Sequence, residues 1–246
     1  MAGNPIVSAV LRRPLQARFQ DTPFARRVNR HSYYPYHAGM PLPAELLRRV
    51  TREEVNALPI RRYEGAVSVI ASPHELAAAM DDLLQETLVG FDTETRPAFR
   101  PGESYLPSLV QLATARAVYL FQVRHAEVAA AAARVLGEER IVKAGVGTAD
   151  DLKSLKKLLA FHDKSVADLG AMAQRHGLKQ SGVRNLAGLF LGFRIPKGTK
   201  TSNWARHALT EQQIVYAATD AWACRELYLR FEELGLNDAE RQPAAR

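Results

Sequence analysis

Apolar residues along this chain follow two periods, and the pattern becomes regular only from about Tyr63. From there, short runs rich in β-branched and aromatic residues alternate with segments whose apolar positions recur every three to four residues. That is the pattern of strands interleaved with amphipathic helices. AVSVIAS (66–72) predicts a strand, PHELAAAMDDLLQE (73–86) a helix, and TLVGFDTE (87–94) an apolar strand that ends in carboxylates. SLVQLAT and AVYLFQV predict two more strands meeting at Ala115–Arg116, a hairpin signal. A helix over 125–137, the strand RIVKAG and a helix over 149–160 follow, with shorter helices over 166–176 and 182–191. The loop FRIPKGTKTSNW then leads into a long last helix, TEQQIVYAATDAWACRELYLRFEEL. Thr210 is its N-cap, and Gln213 stands at the capping-box position. Three strands in meander, then helix–strand–helix, make an α/β domain with a mixed sheet and helices on both faces.

The residues ahead of Tyr63 read differently. Residues 1–40 are Arg-rich, with prolines at 5, 14, 23 and 35 and an aromatic cluster, HSYYPYH, at 31–37. No period is sustained there, which predicts a loose or partly ordered arm. A short helix is expected around Pro43–Ala57. The chain therefore divides into a basic extension over 1–62, an α/β domain over 63–236 and a polar tail over 237–246.

Composition narrows the class. At 246 residues with 47% hydrophobic and 24% charged content, the chain can bury a sizeable core. It lacks a run of about eighteen apolar residues, the length a membrane-spanning helix needs. A single cysteine, Cys224, rules out an internal disulfide and favours a reducing compartment; it reads as a small buried apolar residue. The net charge of +7 is uneven: residues 1–64 carry +6 and the rest only +1. Yet Leu169–Thr210 contains no acidic residue and holds Arg175, Lys179, Arg184, Arg194, Lys197, Lys200 and Arg206. A basic tract of this kind suits a polyanionic partner.

Asp92 and Glu94, two apart on a predicted strand, point to the same side. Ending the apolar run LVGF with paired carboxylates is costly unless a cation compensates. Tyr216 and Asp220 are four apart on the last helix and share a face. Asp151 opens a helix after the strand IVKAG; its neighbour Asp150 competes for the same role, and Asp151 is preferred because Leu152 turns beside it into the core. An all-oxygen ligand set with no His or Cys cluster selects Mg²⁺ or Mn²⁺ over zinc. Two such ions about 4 Å apart stabilise the attacking and departing oxygens of an in-line displacement, so no side-chain nucleophile is needed.

The ordered set FDTET, VGTADDL and YAATDAWA resembles the three motifs of the DEDD family of 3′–5′ exonucleases, and is similar to ribonuclease D and to the exonuclease domain of the Werner-syndrome helicase. The resemblance covers roughly residues 63–234 and implies an RNase H-like fold. It implies that Asp92 bridges two Mg²⁺ or Mn²⁺ ions, that Glu94 and Asp220 hold the ion on the nucleophile side, and that Asp151 serves the second. Tyr216 would orient the attacking water. The sister subclass carries a histidine five residues before the last aspartate; Val215 stands there, so the tyrosine subclass is indicated. The implied partner is the 3′ end of a single-stranded nucleic acid, DNA or RNA, released as nucleoside 5′-monophosphates.

Lys197 and Lys200 are the expected phosphate contacts, and Phe99 and Tyr105 the expected stacking platforms for a terminal base. Trp204 and Trp222 read as core anchors. A second reading is a nucleic-acid-binding or scaffolding module on a degenerate exonuclease fold, which loss of a metal carboxylate would signal; none is lost. A cytoplasmic, bacterial-type enzyme is expected, with an organelle presequence the alternative for the Arg-rich start. Oligomeric state leaves no mark in the sequence.

Overall fold

The turn at Ala115–Arg116 joins two neighbouring strands inside the sheet. The computed structural model describes residue 42, residues 44–198 and residues 201–237. Its strands are β1 (Ala66–Ile70), β2 (Leu88–Thr95), β3 (Pro107–Ala113), β4 (Ala117–Gln122), β5 (Val142–Gly145) and β6 (Val166–Asp168). They form one six-stranded sheet in the order β1-β4-β3-β2-β5-β6. The meander β2–β3–β4 is antiparallel, while β1, β5 and β6 join in parallel, so the sheet is mixed as expected. The Thr114 amide donates to the Ala117 carbonyl at 2.9 Å and closes the hairpin.

The helices are α1 (Ala44–Leu47), α2 (Arg52–Ala57), α3 (Leu76–Leu83), α4 (Ala126–Gly137), α5 (Thr148–Leu155), α6 (Leu169–Arg175), α7 (Val183–Leu186, continued by a π-helical turn over Ala187–Leu191) and α8 (Glu211–Glu233). Alternation along the strands sends Phe91, Val110, Leu112 and Phe121 to one face, where α3, α4 and α5 cover them. Leu109, Ala113, Val118 and Leu120 face the other way and pack under Ala217, Ala218 and Ala221 of α8, with Trp204 beside them. Each large side chain fully buried in these layers contributes about 1.5–3 kcal/mol. Both faces of β4 are covered, and all six of its residues are buried.

Two elements depart from the sequence reading. Val166–Asp168, expected inside a helix over 166–176, is the edge strand β6; the helix starts only at Leu169 because Asp168 caps it, its side chain accepting from the Ala171 amide. The helix expected around Pro43–Ala57 is broken into α1 and α2, and Thr51 restarts it with a capping box to Glu54. This segment packs on the body. Val50 exchanges hydrogen bonds with the Gln180 carboxamide at 2.8 and 3.1 Å, and Ile60 bridges to Arg194. The arm expected over 1–40, its aromatic cluster and most of the tail over 237–246 lie outside the described residues.

Lys143 on β5 is fully buried, and its ammonium donates to the Glu138 carbonyl at 2.7 Å. Burial pulls its pKa down to about 8. Among the described residues, no helix is long and apolar enough to cross a membrane.

Candidate active site

The site is made where α8 crosses the end of β2. A Cβ on Gly90 would stand 1.9 Å from the Ala221 carbonyl oxygen, so only glycine lets the helix backbone lie directly on the strand. That contact sets Asp220, the preceding residue, above the two strand positions that follow Gly90 on the same face, Asp92 and Glu94. Ligand oxygens of Asp92, Glu94 and Asp220 all lie within 4.8 Å of one another. Glu94 and Asp220 are buried and Asp92 half-buried. α8 is fixed in this register from its start: Thr210 and Gln213 form the expected capping box, and the Gln213 amide group donates to Ser202 at 2.6 Å.

Asp151 arrives from the other side of β2. Thr93 points away from its neighbours Asp92 and Glu94, and its hydroxyl donates to Asp151 at 2.7 Å. The Thr93 amide donates to Asp92 at 2.9 Å, so one residue orients two carboxylates. Asp150 is exposed, whereas Asp151 is half-buried and turned toward β2. Asp151 is not part of the three-carboxylate cluster, but its charge reaches Asp92. Asp168 supports this arrangement, its carboxylate accepting from the Thr148 amide at 2.9 Å and from the Ala171 amide at 3.0 Å. It ties the start of α5, which carries Asp151, to the start of α6.

Like charges gathered out of water resist ionisation. Burial pushes the Asp92 carboxyl well above its usual range, with Asp220, Glu94 and Asp151 adding to the rise. Burial lifts Asp220 to about 6 against the opposing pull of the Tyr216 hydroxyl and the Arg184 guanidinium. Asp151 is raised by burial, which the Thr93 hydrogen bond partly offsets. Tyr216 is raised by burial and then by Asp220 and Glu94, so its phenol keeps its proton across the neutral range.

Gly198 lies against the Tyr216 ring, in the loop after Phe193. Lys197 beside it is exposed; Lys200 lies outside the described residues. Phe99 is 78% exposed in the segment between β2 and β3. Tyr105 in the same segment is half-buried, with the Arg96 guanidinium 4.6 Å over its ring. Trp204 is buried, as expected of a core anchor, and Trp222 stacks on Phe193 at 5.4 Å. Cys224 is buried one turn beyond Asp220.

Sequence reasoning missed Thr93, Asp168 and the role of Gly198. An aspartate directly before the acid-free LGAMAQR was a helix-cap signal for Asp168. Nothing local marks the other two.

A family described as 3′-5′ exonuclease matches residues 67–235, which include all five residues of the carboxylate and tyrosine set. The chain belongs to the 3′–5′ exonuclease family. Its members are hydrolases that act on phosphodiester bonds. This exonuclease domain is 30% identical to the bifunctional 3′-5′ exonuclease/ATP-dependent helicase WRN of Mus musculus over 189 residues, 72% of this chain and 13% of that protein. The Aedes aegypti Nibbler EXO domain superposes with a TM-score of 0.62 at 25% identity, covering 72% of this chain and 93% of that one. Escherichia coli RNase D shares the fold, with a TM-score of 0.60 at 20% identity over 71% of this chain and 49% of that one. The RNase H-like architecture expected of the exonuclease domain is therefore the one observed. The chain spans about a quarter or less of the length of the first curated relatives it matches.

Proposed function

We propose that the domain over 63–236 hydrolyses single-stranded nucleic acid, DNA or RNA, one nucleotide at a time from the 3′ end. Two Mg²⁺ or Mn²⁺ ions held by Asp92, Glu94, Asp151 and Asp220 would serve the reaction. The observation that carries the reading is the cluster of Asp92, Glu94 and Asp220 oxygens within 4.8 Å, with the phenol of Tyr216 beside it.

The donor set fits hard divalent cations. All its atoms are oxygens; burial raises Asp92 and Asp220, with the neighbouring carboxylates adding to the rise at Asp92, and a bound cation would relieve that cost. One Asp220 oxygen is buried without a hydrogen-bond partner among the described residues. When bound, the ions supply charge neutralisation at the phosphoryl group and lower the pKa of water at the site.

The chain's own residues do the rest. Tyr216, protonated at neutral pH, donates a hydrogen bond that orients the attacking water. A water oxygen bonds to the terminal phosphorus, the bond from phosphorus to the 3′ oxygen of the preceding nucleotide breaks, and that oxygen leaves with a proton. Arg184, whose charge reaches Asp220, would meet a phosphate oxygen. Lys197 and Lys200 would hold the next phosphates, and Phe99 and Tyr105 would stack on bases. A groove of about 170 Å³ is lined by Leu106, Pro107, Arg124, Trp204 and Arg206, and Pro107 pairs with Thr95, the residue after Glu94; the strand behind the terminus would lie in it.

Digestion in ¹⁸O-enriched water tests the chemistry. Mass spectrometry should find nucleoside 5′-monophosphates carrying the water oxygen. Nucleoside 3′-phosphates, or 5′-monophosphates without the label, would sink the proposal.

A further inference from the structure

Gln111 lies at the centre of β3 and is fully buried, and neither its carboxamide nitrogen nor its oxygen has a hydrogen-bond partner among the described residues. Its neighbours on the same face of β3 are Leu109 and Ala113, and its partner on β4 is Leu120, all part of the apolar layer beneath α8. Its partner on β2 is Asp92. Cross-strand partners project to the same face with Cβ atoms about 5 Å apart, so the Gln111 side chain can span to the Asp92 carboxylate. Asp92 is the polar residue directly opposite; the diagonal positions on the same face add Glu94 on β2 and Gln122 on β4, both farther away than the direct cross-strand partner.

A buried carboxamide among leucine and alanine costs stability unless a partner answers it, and a leucine would fill the same space without that cost. We propose that Gln111 is a positioning residue for Asp92, its NH₂ group donating to the ionised carboxylate and fixing the oxygen that faces the metal. The group is neutral and does not titrate near pH 7, so it orients Asp92 without competing with a cation for its charge. Thr93 holds Asp92 from the backbone side at 2.9 Å, and Gln111 would hold it from the sheet side. The inference rests on the metal-binding reading of the carboxylates and adds to it a residue outside the three motifs.

The test is calorimetric titration of the whole chain with Mn²⁺ alone, together with the Tm of the metal-free protein, for wild type, Gln111→Leu and Gln111→Met. Loss of a residue that supports a metal ligand weakens affinity by about 10–100-fold. Both variants should show that loss while their metal-free Tm equals or exceeds the wild-type value. Mn²⁺ affinity within about twofold of wild type in either folded variant would overturn the proposal, as would an affinity loss that merely follows a falling Tm in both. A wild-type chain that binds no Mn²⁺ would overturn this inference and the two-ion reading together. One that binds Mn²⁺ yet releases no nucleotide would defeat only the nuclease reading, because the affinity comparison still decides Gln111.

Discussion

Gly198 is packed so closely on Tyr216 that a Cβ there would stand 1.5 Å from the ring atom Cε2. The backbone at Gly198 is therefore one wall of the tyrosine's slot. Gly198→Ala must move either the loop or the phenol. A displacement of about 1 Å at a positioned catalytic group costs on the order of 10²-fold in rate. Turnover should fall by that order while KM changes little, and Tyr216→Phe should fall by about 10²–10⁴. Steady-state kinetics on a labelled oligomer checks both; wild-type turnover in Gly198→Ala would mean that Tyr216 tolerates displacement.

Thr93 offers a second test, because its hydroxyl holds Asp151 at 2.7 Å. Thr93→Val keeps the shape and the strand propensity but removes the donor. Mn²⁺ affinity should weaken by about 10–100-fold, the range for partners of metal ligands, with little change in Tm. Calorimetry of the folded variant checks this. Thr93→Ser, which restores a hydroxyl, should recover most of the loss.

Lys143 makes a prediction about pH. Its folded-state pKa is about 8 against an ordinary 10.5, because burial disfavours the charge. Below pH 8 both folded and unfolded chains hold the proton, and the burial cost is fully present. Between about pH 8 and 10.5 the folded chain releases the proton and the unfolded chain keeps it, so stability rises with pH in that window. Lys143→Met has no such group. The stability difference between wild type and Lys143→Met should therefore shift in favour of wild type from pH 7 to pH 10, as read by urea unfolding at both values. A constant difference would show that Lys143 is not titrating there.

Lys197 is exposed beside the Tyr216 slot and acts on affinity in this account. Each single-strand phosphate contact contributes about 0.7 to the slope of log affinity against log salt. Lys197→Ala should flatten that slope by about this amount and raise KM, with saturated turnover nearly unchanged. KM measured across a salt series checks it; an unchanged slope would remove Lys197 from the phosphate track.

The strands β2, β3 and β4 and the helix α8 were legible because the strands are near-continuous apolar runs bounded by turn residues and α8 is long and capped. Asp92, Glu94, Tyr216 and Asp220 could be singled out because each pair lies within four residues on one element. β6 was not legible: three residues cannot display a period, and its first two would also suit a helix. The docking of residues 44–62 depends on pairs such as Val50 with Gln180, 130 positions apart, which no local pattern encodes. The same holds for Thr93 with Asp151, Gly90 under Ala221 and Gly198 on Tyr216. Each is a contact that exists only after the chain has folded, and each shapes the site.

The most direct test of the central claim is digestion of 5′-labelled DNA and RNA oligomers by wild type and Asp92→Ala, in Mn²⁺ and in EDTA. The expected result is a ladder shortening by single nucleotides from the 3′ end in Mn²⁺, no shortening in EDTA, and none by Asp92→Ala whose circular dichroism matches wild type. An equal ladder in EDTA or from Asp92→Ala, or release of the 5′ label first, would contradict a metal-dependent 3′–5′ exonuclease built on these carboxylates.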